Sequence, residues 1–306
     1  MCIARPIDTA RDHVADTTVR DRRHDIGGRG RLVIAGGFLA LFVYDGILRQ
    51  LVAGMVALPA IPGGINSLTV VLLLFSMAHA WYALGGRHTA AFFGITAVVS
   101  WLFEEAGVVT GAVFGPYHYT STLGPWLGSV PILIPLAWFM MIYPSYVIAN
   151  LIVDGVPSGT RGGLGHLAGL ALLGALVMVA WDLVVDPILS GPVFGAWVWE
   201  QGGPYFGVPV HNYAGWVVTT FTVYLLYRGL ERGRPPRPAG PLGLSAAALP
   251  VVAYAAMLAS NLLSGGAPDA LVVIGPIVMG MPAVAALVRL LSGGGAAVPE
   301  AVASSS

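Results

Sequence analysis

The chain contains little charge and no lysine. Only 10% of its 306 residues are Asp, Glu, Lys or Arg, whereas about 25% is usual in soluble domains. All 15 basic residues are Arg, and 15 acidic residues balance them, so no net positive charge is available to attract nucleic acid. Cys2 is the single cysteine, which excludes disulfides within the chain and Cys-rich metal sites. We therefore predict neither a nucleic-acid partner nor a metal centre.

Hydrophobic residues make up 56% of the chain. They form eight stretches of about 20 residues, each long enough to cross a ~30 Å hydrocarbon core. Backbone groups in lipid must be satisfied internally, so the sequence predicts an all-α, polytopic membrane bundle of about eight transmembrane helices. The stretches are 32–53, 66–85, 89–112, 131–153, 163–186, 212–230, 243–263 and 270–292.

The arginines predict the orientation in the membrane. Residues 1–30 hold six Arg and five Asp without apolar periodicity, which indicates a disordered cytoplasmic tail. The arginines between predicted helices fall in the second, fourth and sixth connections, which places both termini inside a plasma-membrane protein. The exception is Arg49, which follows Asp45 by four residues, so the two can pair on one helix face. The connecting arginines are Arg87, Arg161, Arg228, Arg232, Arg234 and Arg237.

The composition also divides the predicted membrane domain, 31–292. The Arg- and Pro-rich segment 231–241 predicts a cytoplasmic linker between a core, 66–230, and a final hairpin, 243–292. Residues 293–306 predict a disordered C-terminal tail.

Two similar segments lie about 80 residues apart. The first reads VFGPYHY from Val113, and the second reads VFGAWVW from Val193. Each then continues as G-P-aromatic-x-G and ends in Val-Pro. The similarity indicates a duplication, with a parallel repeat around helices 3–4 and 5–6 and both loops on the outer side.

Carboxylates precede each repeated segment inside an apolar stretch: Glu104 and Glu105 in the first, Asp182 and Asp186 in the second. A charge in a membrane span costs about 3 kcal/mol at the bilayer centre on insertion scales, so it is usually retained for function. Glu104 lies roughly 10 Å below its loop at ~1.5 Å per residue, and the aspartates lie at a similar depth. We therefore predict that Glu104, Asp182 and Asp186 form one acidic site, with Glu105 turned away. Pro187 predicts that the helix ends near Asp186.

The predicted pocket residues are aromatic or polar and lie in or beside the two loops. Structural roles are the alternative for these residues and for the acids. They are an interfacial aromatic belt for the Trp and Tyr residues, an N-cap for Asn212, a helix cap for Asp186, and pairing of a glutamate with Arg49. The pocket residues are Tyr117, His118, Tyr119, Trp126, Trp197, Trp199, Tyr205, His211, Asn212 and Trp216.

Other membrane functions fit less well. The chain has no His box of the kind that a di-iron desaturase requires. Asp182-x-x-x-Asp186 resembles half of a prenyltransferase magnesium motif, but no second acidic motif follows. A proton-coupled transporter would account for the carboxylates and the repeat, but not for the aromatic loops.

The combined motifs resemble the carotenoid biosynthesis membrane protein family, over roughly residues 70–230. The first half contributes Glu104-x-x-Gly107-x-x-Thr110-Gly111, Phe114-Gly115-x-Tyr117-x-Tyr119, Gly128-x-Val130-Pro131 and Trp138. The second half contributes Asp182-x-x-x-Asp186-Pro187, Trp197-x-Trp199, Tyr205-Phe206-Gly207-Val208-Pro209, Asn212 and Gly215-Trp216.

The resemblance implies hydration of an acyclic carotenoid such as lycopene, γ-carotene or bisanhydrobacterioruberin, in the bilayer and beside other enzymes of the pathway. Protonation of the terminal double bond gives a tertiary cation, which water captures without any cofactor. We expect Glu104 to be the acid and Asp182 or Asp186 to activate water, although the reverse assignment is open. A membrane lycopene cyclase begins with the same protonation, and a carotenoid carrier needs no chemistry, so both remain alternatives.

The predicted orientation is testable by cysteine labelling. In a Cys2→Ser background, Ser121→Cys and Gln201→Cys should react with a membrane-impermeant thiol reagent in intact cells, because both loops are predicted to face outward. Protection of both positions, with labelling of Gly159→Cys, would invert the topology.

Overall fold

A computed structural model describes residues 27–159, 162–232 and 243–293, and these residues form eight long helices. Seven of the helices described are long and apolar enough to cross a membrane, as in a multi-pass membrane protein. The exception is α6, which is 22 residues long but buries Arg228 and Glu231. The helices are α1 (Gly27–Val52), α2 (Gly64–Leu84), α3 (Gly86–Thr110), α4 (Leu133–Asp154), α5 (Leu164–Leu189), α6 (Val210–Glu231), α7 (Gly243–Leu263) and α8 (Leu271–Ser292).

The helices confirm the predicted bundle, and their bounds lie within a few residues of the eight apolar stretches. The first helix begins at Gly27, so the last four residues of the predicted N-terminal tail are helical. Several predicted features lie outside the described residues: the rest of that tail, most of the predicted linker, nearly all of the C-terminal tail, and Arg161.

Four short strands connect the helices at one end of the bundle, called here the strand end. They are β1 (Tyr117–Tyr119), β2 (Trp126–Leu127), β3 (Val130–Pro131) and β4 (Trp197–Trp199). The aromatic triplets β1 and β4 pair antiparallel, with Tyr117 opposite Trp199 and Tyr119 opposite Trp197. The first aromatic residue of each triplet therefore faces the last of the other, as in two copies related by a two-fold axis.

The two-fold relation between the repeats continues from the strands into the helices. Trp138 and Trp216 each lie seven residues beyond the Val-Pro pair of their own repeat. Their rings stack at a centroid distance of 4.0 Å and an interplanar angle of 15°. Helices of the first repeat also pack against those of the second, α3 against α6 and α4 against α5. The duplicated segments thus form one structural unit rather than two separate halves.

Helices α4, α5 and α7 each continue as α-helix through an internal proline, at Pro144, Pro187 and Pro250 respectively. Proline has no N–H, so the carbonyl four residues earlier loses its helical partner. In each case a side chain from another segment donates to that carbonyl, which satisfies it within the bundle. The donors are Ser76 Oγ to Met140 O at 2.8 Å, Tyr205 Oη to Leu183 O at 3.0 Å, and His79 Nε2 to Ala246 O at 2.7 Å.

Two predictions change as a result. Helix α5 does not end at Asp186 but continues through Pro187 to Leu189, because Tyr205 replaces the missing main-chain donor. Tyr205 accordingly binds the backbone rather than facing a pocket. The cap of α6 is Pro209 without a side-chain hydrogen bond, so Asn212 is not an N-cap.

Close backbone contact holds the first loop against α6. A Cβ atom built on Gly215 would lie 2.3 Å from the carbonyl oxygen of Val113 and 2.6 Å from the ring of Phe114. Gly229, on the same helix, has nothing within 4 Å of such an atom. Gly215 therefore permits an approach that no other residue type could make without displacement of the backbone.

This difference gives a matched pair of variants. Gly215→Ala should lower the free energy of unfolding by about 1–3 kcal/mol, the usual cost of overpacking. Gly229→Ala should raise it by roughly 0.5–1 kcal/mol, since alanine favours helix. Thermal unfolding in one detergent would measure both. Equal stability of the two variants would contradict the close contact at Gly215.

Candidate active site

A cavity of about 70 Å³ lies under β1 and β4, between α2, α3, α4, α5 and α6. The three predicted acids, Glu104, Asp182 and Asp186, all line it, and each is at most 4% exposed. Its other walls are mainly apolar or aromatic, which is typical of sites that bind apolar ligands. The cavity, called the carboxylate chamber below, contains six of the ten predicted pocket residues: Tyr117, Tyr119, Trp197, Trp199, Asn212 and Trp216.

Glu104 projects from α3 and accepts three hydrogen bonds. Tyr117 and Tyr119 donate to Oε2 at 2.5 and 2.8 Å, and Trp138 Nε1 donates to Oε1 at 2.9 Å. Burial and the nearby carboxylate raise the pKa of both phenols well above its usual range, so they remain donors. Burial disfavours a negative charge on Glu104, and the three donors offset part of that cost.

Asp186 also accepts three hydrogen bonds. The indole N–H groups of Trp197 and Trp199 donate to Oδ1 at 2.8 and 3.1 Å, and Asn212 Nδ2 donates to Oδ2 at 2.6 Å. Each aromatic triplet thus supplies two donors to the carboxylate of its own repeat. This follows from strand geometry, because alternate side chains of a strand point to the same face.

Asp182 has fewer partners. Asn212 Nδ2 donates to its Oδ2 at 2.9 Å, whereas its buried Oδ1 has no hydrogen-bond partner among the described residues. Asp182 and Asp186 lie one turn apart on α5 and share the Asn212 amide. Two ionised carboxylates held this close repel each other, so such a pair tends to share one proton.

Aromatic rings enclose the chamber on the helix side. Trp216 stacks on Trp138 and lies edge-on to Trp181, with a centroid distance of 5.7 Å to the latter. Near the strands, Tyr117 approaches Trp199 at 5.0 Å. The faces of such rings attract positive charge. The arrangement therefore combines proton-transfer groups with surfaces that can stabilise a cation.

Four predicted pocket residues lie outside the chamber, and each has a local reason. His118 is between two inward-facing tyrosines on β1, so it points to the opposite face, 3.6 Å from exposed Glu200. Trp126 is 43% exposed and packs edge-on against Tyr119. Tyr205 binds the Leu183 carbonyl, and His211 is exposed at the start of α6.

The two remaining charged side chains of the prediction have structural partners. Glu105 Oε2 accepts the N–H of Ser129 at 2.8 Å and thereby holds the β2–β3 hairpin. The Glu105 side chain points away from that of Glu104, as predicted, because adjacent residues of an α-helix are about 100° apart around its axis. Arg49 pairs with Asp45 at 2.9 Å, as expected, and not with either glutamate.

The structure adds lining residues that the sequence did not indicate, among them Trp138, Trp181 and Phe114. Trp138 could have been identified from the sequence, because it has the same position in the first repeat as the predicted pocket residue Trp216 has in the second. Phe114 belongs to the repeated Val-Phe-Gly segment, which was the available signal for it, whereas Trp181 lies in an apolar run without a distinguishing pattern. Within the described ranges, no group of three or more His, Cys, Asp or Glu side chains could hold a metal ion.

The fold and the site define a multi-pass membrane protein with a buried acidic site that has aromatic walls. The chain belongs to the carotenoid biosynthesis protein family, whose sequence model matches residues 65–286. The match confirms the resemblance predicted from the motifs. It also extends beyond them, into α7 and most of α8.

A relative from Haloarcula japonica is described as bisanhydrobacterioruberin hydratase. It is 33% identical to this chain over 129 residues, which are 42% of this chain and 41% of the relative. The chain therefore matches less than half of the relative's length. No solved structure matches the chain.

Proposed function

We propose that this protein hydrates the terminal double bond of an acyclic carotenoid end group and forms a tertiary alcohol. The observation that carries the proposal is the enclosure of Glu104, Asp182 and Asp186 in a single chamber with aromatic walls. The hydratase description of the relative supports the same reaction type. The substrates are an acyclic carotenoid, such as lycopene, γ-carotene or bisanhydrobacterioruberin, and water.

Asp182 is the better proton donor of the three acids. Its Oδ1 faces no hydrogen-bond donor among the described residues, so it can carry a proton. Asp186 already receives three donors, which stabilise its negative charge, and its ionisation favours protonation of Asp182. Transfer of this proton to the less substituted alkene carbon gives the tertiary cation.

Glu104 is the better base. Three donors stabilise it as a carboxylate, and a carboxylate can accept about four hydrogen bonds. One site therefore remains for the proton of an attacking water. This assignment reverses the one first expected from sequence, where Glu104 was the acid. The difference arises from hydrogen bonds that the sequence pattern did not specify.

The stacked and edge-on tryptophans near the acids contribute to the same step. Their ring faces can lower the energy of a cation without forming a bond to it. Water then adds to the cationic carbon, and its proton passes to Glu104. Return of that proton to Asp182 restores both groups for the next turnover. The reaction adds one water molecule without net oxidation or reduction of the carotenoid, so it requires no redox cofactor.

The bundle also supports an arrangement in the plasma membrane. With both termini cytoplasmic, the strand end and its chamber lie on the outer side, where the end of a long apolar substrate meets water. Core 66–230 then holds the chamber, and hairpin 243–292 packs beside α4 through contacts of α7 and α8.

Product analysis tests the function. When the chain is expressed in a lycopene-producing bacterium, the pigment should gain the mass of one or two water molecules. An isomer of unchanged mass with a ring would instead indicate a cyclase, and unchanged pigment would indicate a carrier. Mass spectrometry of the extracted pigment separates these three results.

Amide variants test the assigned roles. Asp182→Asn should reduce all product formation by about 100- to 10,000-fold, because it removes the transferable proton. Glu104→Gln should slow water capture but still allow the cation to form, so the cation should lose a methyl proton and yield a double-bond isomer. Liquid chromatography with mass detection would quantify alcohol and isomer.

Glu105→Gln is the matched control for the neighbouring glutamate, and it should retain near-normal hydration because Glu105 binds only the hairpin. Complete loss of both products in Glu104→Gln, with isomer formed by Asp182→Asn, would restore the opposite assignment. Normal hydration by all the amide variants, Asp186→Asn included, would rule out carboxylate catalysis.

A further inference from the structure

A second cavity, of about 260 Å³, lies beside the carboxylate chamber and is bounded by α1, α2, α4, α5 and α7. The two cavities share a wall of six residues from α2, α4 and α5. They are therefore neighbours at the same end of the bundle. The shared residues are Ile65, Thr69, Ala137, Trp181, Val185 and Leu189.

The second cavity is more polar than a lipid-facing groove would be. Its lining includes the Asp45–Arg49 ion pair and Gln50 on α1, and Ser260 and Asn261 on α7. Asp45 is 2% exposed and also accepts the N–H of Ile61, which fixes it at the edge of the cavity. A polar lining of this kind stabilises water.

The polar side of the cavity lies near the membrane boundary. Arg49 and Gln50 are in the last turns of α1 and are partly exposed. The strand loops lie at the same end, because Asn66 at the start of α2 donates to the Thr122 carbonyl at 3.0 Å. The carboxylate chamber itself is covered by β1 and β4, whose inward-facing Tyr117 and Tyr119 are at most 7% exposed.

Among the described residues, some buried polar atoms without partners belong to residues that line the two cavities. In the part of the chain that the structure describes, Asn261 Nδ2 and Trp181 Nε1 are buried donors without a partner. Asn261 lines the second cavity, and Trp181 lines both. The unpartnered acceptor Asp182 Oδ1 follows Trp181 in the chain. Buried groups of this kind usually bind ordered water.

We infer that the second cavity is a hydrated vestibule that supplies the carboxylate chamber with the water consumed in the reaction. Water enters near Arg49 and Gln50, binds Asn261, and passes the shared wall at Trp181. This inference rests on the proposed hydratase activity. Under this inference the two substrates enter separately, because the apolar carotenoid does not have to pass through the polar vestibule that admits water.

The vestibule has a consequence for the cation. Once Asp182 has protonated the alkene, the cation either captures water or loses a proton from an adjacent methyl group back to the Asp182 carboxylate. The first outcome gives the tertiary alcohol, and the second gives a double-bond isomer of unchanged mass. The ratio of alcohol to isomer therefore reports the water supply independently of the protonation rate.

Asn261→Phe tests the inference, because it removes the amide and fills the vestibule away from the carboxylates. The alcohol-to-isomer ratio should fall by about tenfold or more, the effect of one lost hydrogen bond to water, while total turnover of the alkene continues. Asn261→Gln should keep the ratio close to that of the wild type. Gly37→Val on the exposed side of α1, where nothing lies within 4 Å, is the control for added bulk.

Gln50→Phe provides a second block, on α1, if Asn261→Phe does not fold. Loss of alcohol and isomer together in a folded variant would show that the cavity holds the alkene instead and would overturn the inference. An unchanged ratio in both variants would overturn it too. Failure of the hydratase proposal is distinguishable, since the wild-type protein would then form neither product.

Discussion

Carboxyl groups buried in a bilayer require hydrogen-bond donors, and here the donors are aromatic side chains on two paired strands. Tyr117 and Tyr119 bind Glu104, while Trp197 and Trp199 bind Asp186. These donors reach the carboxylates only because β1 and β4 pair in the observed register. The strands therefore do more than close the bundle: they determine which charges can exist inside it.

The same requirement governs the polar groups far from the chamber. Arg228 and Glu231 are completely buried near the end of α6; Arg228 donates a hydrogen bond to Asn150 Oδ1, and Tyr146 donates one to Glu231 Oε1. The Arg228 guanidinium also lies 4.8 Å from the Tyr146 ring centroid. A helix that carries two such charges needs protein rather than lipid around this face, which agrees with its lower apolar content.

Much of this arrangement could be predicted from sequence, for physical reasons. Apolar length determined the helices, and the repeated triplets identified the loops that cover the acids. The alternation within β1 could have excluded His118, because a residue between two inward-facing side chains must point outward. The pairing of β1 with β4 and the bond from Tyr205 to Leu183 could not be predicted, since both depend on contacts distant in sequence. The reversed roles proposed for Glu104 and Asp182 have the same origin.

The stacked pair Trp138–Trp216 and the reciprocal register of β1 and β4 describe an interface that a homodimer with two-fold symmetry would form. In such an ancestor both halves would have carried identical acids, so neither could have specialised. In a single fused chain the two copies could diverge, and here one presents a glutamate where the other presents an aspartate pair. The paired strands and stacked tryptophans are symmetric while the acids are not, and the proposed reaction, with a proton donor on one side and a proton acceptor on the other, would use that difference.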